Sequence, residues 1–186
     1  MGRIEDLAER YERHIAAPWQ RNLAGAQKAI FVVYAKEDER KLRAKRREFE
    51  VRTKEAGHNW REFDLTTLFP EWMAADEYRD AYFDCPDDLD MKLESEFIDF
   101  AADRLRDVLT ANDVDEDTVV GVFGAAALYG FARVSLLLKK VEADIRGRLV
   151  LFFPGGLDQN NYRLLDARDG WNYLAVPITL HQGDEL

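Results

Sequence analysis

Three stretches of the chain carry residue types that could do chemistry. Gly121-Val122-Phe123-Gly124 joins an apolar run to a helical pattern, the place where backbone amides at a helix start could hold a phosphate. The spacing fits neither common nucleotide loop: no Lys-Ser or Lys-Thr follows Gly130, and G-x-G-x-x-G occurs nowhere. A tight strand-to-helix turn, where glycine lets the backbone pass close, is the plainer reading. Arg133 lies nine residues on, between Ala132 and Val134. A guanidinium in such a setting needs a carboxylate, phosphate or carbonyl. An internal salt bridge is the favoured fate, and an anion held by Gly124 and Arg133 is the other. Pro154-Gly155-Gly156 ends a second apolar run with backbone free to take positive φ, and Asp158, Gln159, Asn160 and Asn161 follow. Such a loop serves equally as a binding segment or as a turn.

Nucleophiles and metal ligands are sparse. Ser95 and Ser135 sit in no G-x-S-x-G elbow, and Cys85 lies beside Pro86 among acids that would raise a thiol pKa. His14, His58 and His181 fall on three different elements with no metal-ligand spacing. Asp158, Asp166 and Asp169 offer oxygens for Mg²⁺, although solvated loop carboxylates are the commoner case. The sequence therefore predicts no catalytic residue, no metal and no cofactor.

The elements that would position these residues follow from periodicity. Ile4, Leu7, Ala8, Tyr11 and Ile15 predict an amphipathic helix over 3–16. Residues 28–35 predict a first strand, 36–56 a long, mostly solvated helix, and 59–64 a weaker second strand. Two short helices broken at Pro70 are predicted between Thr66 and Phe83, a polar loop over 84–90, and a helix from Leu93 to about Ala111. Strands over 118–123 and 148–153 flank a helix over 125–145, with an irregular loop over 154–170 and a last strand over 171–178. This alternation predicts one α/β domain over 1–186, a three-layer Rossmann-like sandwich with a mainly parallel sheet of about five strands. The last strand is a candidate for antiparallel pairing, because no clear helix precedes it. The carboxyl tips of the strands at 118–123 and 148–153 are expected to form one shared recognition surface.

Composition narrows the partners. The apolar fraction of 47% suits a folded domain, and a formal charge of −10 disfavours bulk nucleic-acid binding. Residues 36–54 nevertheless hold nine Lys or Arg against five acids, with Arg40, Arg43 and Arg47 on one stripe, while 84–117 holds thirteen acids against three bases. A single cysteine excludes an internal disulfide. With no secretory pattern and no bilayer-length apolar run, the chain is expected in the cytoplasm, away from membranes. The terminal Gly183-Asp184-Glu185-Leu186 is only a faint match to a retention signal.

From Val119 to Ile178 the order of residues resembles the BrxB-type family of bacterial BREX phage-defence systems. The matching positions are Gly124, Leu128-Tyr129, Arg133, Leu136-Leu137-Leu138, Phe153-Pro154-Gly155, Asp158, Arg163-Leu164-Leu165 and Asn172-Tyr173. The family's serine-histidine pair after the arginine is Val134-Ser135 here, and the N-terminal half is similar only through its first strand and the aromatic strand-helix unit after it. The resemblance implies a non-catalytic accessory protein or adaptor working beside a PglZ-type partner and a large defence ATPase. Tyr129, Arg133, Pro154, Gly155, Asp158 and Tyr162 are then candidate partner contacts. The alternative is a nucleotide- or anion-binding sensor or enzyme using the Gly124 turn, Arg133 and Asp158.

Overall fold

A strand with no polar face must be covered on both sides, and this chain has three of them. The computed structural model describes residues 2–168 and 170–180, so Asp169, His181 and the 183–186 tail lie outside the described residues. In chain order the elements are α1 (Arg3–Ala16), β1 (Ala29–Tyr34), α2 (Glu39–Ala44), α3 (Arg46–Glu55), β2 (Asn59–Asp64), α4 (Leu68–Ala75), α5 (Arg79–Asp84) and α6 (Asp90–Lys92). There follow α7 (Ile98–Leu109), β3 (Thr118–Phe123), α8 (Val134–Val141), β4 (Arg148–Asp158), β5 (Asn161–Leu164), β6 (Trp171–Asn172) and β7 (Val176–Ile178). Every residue of β1 and β3 is buried, as is β4 from Arg148 to Pro154. These strands form the middle of a parallel sheet ordered β2-β3-β4-β1-β7. Val122 lies opposite Leu151, and Val32 opposite Phe152.

The strand alternation divides the core in two. Ile30, Val32, Val119, Val150 and Phe152 meet Ile4, Leu7, Tyr11 and Ile15 of α1 and Leu42 and Phe49 of α2 and α3. Phe31, Val33, Val120, Leu149, Leu151 and Phe153 meet α4, α7 and α8 on the opposite face. Tyr11 Oη and Thr53 Oγ1, both buried, share a hydrogen bond of 2.6 Å that ties α1 to α3. The expected three-layer α/β sandwich with a mainly parallel sheet is thus the observed one, its five-strand path being parallel throughout.

Several local expectations are corrected. β7 pairs parallel with β1, so the last strand of the sheet is not antiparallel. The strand predicted over 171–178 divides into β6 and β7, and the antiparallel pairing lies in β6 and in the predicted loop at 154–170: β4 runs on to Asp158, turns through Gln159 at φ 53° and pairs back with β5, which pairs with β6. The helix predicted over 125–145 begins as a four-residue 3₁₀ turn, is interrupted by Gly130 at φ 80°, and becomes α-helical only over α8. The long helix at 36–56 is a 3₁₀ turn followed by two α segments that meet at Lys45. Pro70 sits in the first turn of α4 and breaks nothing, as proline's missing N–H is harmless there. The 84–90 loop contains a 3₁₀ turn at Pro86–Leu89, and the helix after it opens with α6 and a π-helical segment, Leu93–Phe97.

Gly155 is required by packing and not by positive φ. A β-carbon there would overlap the carbonyl oxygen of Arg163 on β5, whereas nothing lies within 4 Å of a β-carbon at Gly156. Gly155→Ala is therefore expected to cost about 2 kcal/mol and lower the melting temperature by roughly 4–8 °C, while Gly156→Ala leaves it unchanged. Thermal denaturation of the two variants checks this.

Candidate partner-binding face

The carboxyl ends of the strands carry most of the residues singled out from sequence, but they do not converge on one spot. Gly124 takes φ 82°, a left-handed conformation that glycine adopts freely. A β-carbon on it would meet Asp64 Oδ1 and Thr66 Oγ1, each at 2.6 Å. Asp64 accepts hydrogen bonds from the Thr66 amide (2.9 Å) and from Arg43 (3.3 Å), and these bonds hold its carboxyl below the usual range although partial burial opposes them. A carboxylate seated against this turn repels an anion, so Gly124 is a packed turn and not a phosphate cradle.

Arg133 is exposed at the N-terminus of α8, and not buried in a helix as its apolar neighbours suggested. Among the described residues its ion-pair partner is Glu94, 3.9 Å away, and both side chains are well exposed (73% and 65%). Such a pair adds little stability and leaves the guanidinium available. Arg133 and Tyr129 line one groove of about 360 Å³ with Ala132, Val134, Leu164 and Trp171. One wall is the irregular 129–135 segment, and the other is the β5–β6 hairpin. Tyr129 is 47% exposed, and the exposed Phe131 beside it stacks on Phe69 at 4.0 Å, extending the aromatic surface toward α4. Large aromatics and an arginine around a concave apolar patch are the chemistry of protein-interface anchors.

The other predicted residues fall elsewhere. Tyr162 is 2% exposed, packed against Phe31 (4.7 Å) and Trp171 (5.5 Å), so it is a core residue and no surface contact. Burial pushes its phenol up to about 12. Pro154 is buried too, and its carbonyl accepts the Leu165 amide. The strands β3 and β4 are indeed adjacent and parallel, but their tips are covered, Gly124 by Asp64 and Thr66 and Pro154 by the hairpin. Asp158 stands exposed at the hairpin turn, and Lys36 ion-pairs Asp166. Among the described residues no group of three or more His, Cys, Asp or Glu side chains could hold a metal, and no helix is long and apolar enough to cross a membrane.

Sequence reasoning missed a second opening. The chain leaves β1 toward α2 and α3 on one face and leaves β4 through the hairpin on the other, so the crevice expected at such a reversal lies between β1 and β4. A cavity of about 350 Å³ is found there, lined by Val33, Tyr34, Ala35, Gly155, Gly156 and Thr179 among others. Among the described residues the one cation lining it is Arg3, whose Nε is 3.6 Å from the buried carboxylate of Asp38. The strand order, which the sequence did not specify, was the missing signal. The basic stripe expected at Arg40, Arg43 and Arg47 is interrupted as well, since Arg43 is held by Glu39 at 2.7 Å and by Asp64.

At the amino end of the strands Arg148, 8% exposed, places its guanidinium 4.6 Å from the centroid of Trp19, which stacks on His58 at 3.8 Å. His58 Nε2 lies 3.0 Å from the Ile15 carbonyl oxygen, and its buried Nδ1 has no hydrogen-bond partner among the described residues. Burial, reinforced by the charge of Arg148, lowers the pKa of nearby His14. No protein-family model, curated protein or solved structure matches the chain.

Two expectations follow. Truncating exposed Tyr129 to Ala leaves stability within about 0.5 kcal/mol, whereas Tyr162→Ala loses roughly 3–5 kcal/mol, as chemical denaturation will measure. The lowered pKa of His14 means that the unfolded chain takes up its proton more readily than the folded one. The stability it contributes is full above its ordinary pKa of 6.5 and is lost as the pH falls through the depressed value. Melting temperatures should decline from pH 7 toward about pH 5, and less steeply in His14→Gln.

Proposed function

We propose that this chain is a non-catalytic adaptor of a bacterial anti-phage system of the BREX type, and that it docks onto a PglZ-type protein through the groove between the 129–135 segment and the β5–β6 hairpin. The observation that carries this reading is the groove itself: Tyr129 and Arg133, both among the residues that resemble the BrxB-type family, stand exposed beside an apolar concavity of about 360 Å³. Leu164 and Trp171 give it a rigid wall, because Trp171 is packed against Phe31, Phe153 and Tyr162. Preorganised walls lower the ordering cost of association. Arg133, whose ion-pair partner among the described residues is a distant and exposed carboxylate, favours a partner that brings its own acid to the rim. A cytoplasmic location and a large defence ATPase in the same assembly belong to this proposal.

The sensor or enzyme alternative loses its site as first drawn. The groove lined by Arg133 includes neither Gly124 nor Asp158, and Asp64 occupies the Gly124 turn. The test is a binding titration between the purified chain and the PglZ-type protein encoded beside it. Micromolar or tighter binding is expected, with Tyr129→Ala and Arg133→Glu each weakening it at least about tenfold, the size of an interface hot spot, without changing the melting temperature. Absence of a complex at micromolar concentrations, or full binding by both variants, rejects the proposal.

A further inference from the structure

An unbalanced cluster of positive charge lies at the opposite end of the sheet from the groove. A small cavity of about 50 Å³ there is lined by Trp19 and by four cations, Arg21, Lys28, Arg146 and Arg148, against two carboxylates, Glu116 and Asp117. In a chain whose formal charge is −10, a local excess of two positive charges needs a reason. Among the described residues, Arg21 alone of these four has a carboxylate within ion-pair distance, Glu116 at 3.5 Å, and both of these side chains are largely exposed.

Among the described residues the other three cations meet backbone oxygens and a ring. Lys28 Nζ donates to the Ile145 carbonyl at 3.1 Å. Arg146 donates to the carbonyls of Val114 (2.7 Å) and Ala111 (3.2 Å). Arg148 donates to the carbonyls of Gly147 (3.0 Å) and Gln20 (3.1 Å) and lies over the Trp19 ring. Carbonyls satisfy N–H groups but leave the net charge uncompensated, and desolvation holds the Arg148 pKa below the ordinary arginine value. Buried cations are normally paired, so a buried guanidinium with no carboxylate, flanked by a lysine and a second arginine, describes a site awaiting an anion.

We propose that this cavity, between Lys28, Arg146 and Arg148, binds a phosphate-sized oxyanion. Its size sets the class: a water needs roughly 10–15 Å³ of such space, so about 50 Å³ admits one tetrahedral oxyanion and excludes a whole nucleotide. The oxyanion is either free phosphate or the terminal group of a phosphomonoester whose remainder stays outside. Guanidinium forks from Arg146 and Arg148 suit tetrahedral oxygens, and Lys28 adds a point charge. The site is independent of partner docking, since it involves none of the groove residues.

The experiment uses the full chain with inorganic phosphate, and with glycerol phosphate as the monoester probe, each at ionic strength matched with sodium chloride. Saturable binding is expected by calorimetry, together with an upward shift of the His14 titration in NMR spectra, because a bound anion offsets the Arg148 charge that helps to depress it. Lys28→Met and Arg146→Met should each weaken binding at least about tenfold, converting to about 1.4 kcal/mol. Arg47→Met, on the distant basic helix, should not. Since Arg148→Met risks misfolding, Lys28→Met, which removes only a partly exposed side chain, carries the decision. Binding of phosphate alone identifies the free ion, and binding of both probes identifies a terminal phosphate. Lack of saturation with either probe, or equal affinity in Lys28→Met and the parent, overturns the proposal.

Discussion

Phe31 organises the carboxyl half of the molecule. Standing at the centre of β1, it is completely buried and has ring neighbours on three later segments: Phe153 on β4 at 5.8 Å, Tyr162 on β5 at 4.7 Å, and Trp171 and Tyr173 near the end of the described chain at 5.8 and 5.7 Å. Tilted and offset ring pairs of this kind each add about 0.5–1.5 kcal/mol beyond the area they bury. The cluster pins the β4–β5–β6 excursion against the sheet, where an isolated hairpin of that length would be marginal. It also explains why Tyr162 is withdrawn from the surface while Trp171, half-buried at the cluster's rim, supplies the groove wall. A partner groove can be rigid here because one of its sides is continuous with the core.

How much of this was legible in the sequence depends on what kind of signal each element sends. β1 and β3 announce themselves by unbroken apolar runs, and the structure places their ends within a residue or two of the predicted ones. α1 follows its five-residue apolar line faithfully. The stretch after Phe153 fails for an equally physical reason. Pro154-Gly155-Gly156 and Asp158-Gln159-Asn160 have turn chemistry, so local propensity says loop; Gln159 and Asn160 do turn, but the long-range demand that Tyr162 and Leu164 reach the Phe31 cluster makes 154–158 strand. Tertiary contacts override propensity wherever the buried partner is distant in sequence.

The site residues divide along the same line. Tyr129 and Arg133 were identifiable as residue types suited to recognition, and the structure brings them together at one groove. Their setting was misread, since a continuous helix from 125 to 145 would have buried Arg133. Gly130, at φ 80°, ends that helix early and turns Tyr129, Phe131 and Arg133 outward. Pro154, a motif position, and Tyr162, a candidate contact beside one, lie inside, which sequence spacing alone cannot distinguish from surface placement. The β1–β4 crevice was invisible for another reason: strand order decides where connections diverge, and it has no local signature.

Charge tells a complementary story about the two ends of the sheet. The basic segment at 36–54 looked like a free cationic face, yet Lys41, Arg43, Lys45, Arg52 and Lys54 all have carboxylate partners, Asp38, Glu39, Glu5, Glu12 and Glu50 among them. An acidic chain readily neutralises its own surface cations in this way, and the same supply of acids was open to Lys28, Arg146 and Arg148. That they instead face backbone carbonyls around a common cavity is a property of where the amino ends of β1 and β4 lie, beneath loops whose carbonyls point inward. Arg148 stands opposite Val119 in the sheet register, and its buried guanidinium is held by the Gly147 and Gln20 carbonyls and the Trp19 ring. The register that buries the apolar length of β4 therefore also buries a positive charge at its first residue. That coupling between core formation and an uncompensated cation gives an anion a stabilising role in the folded state alone.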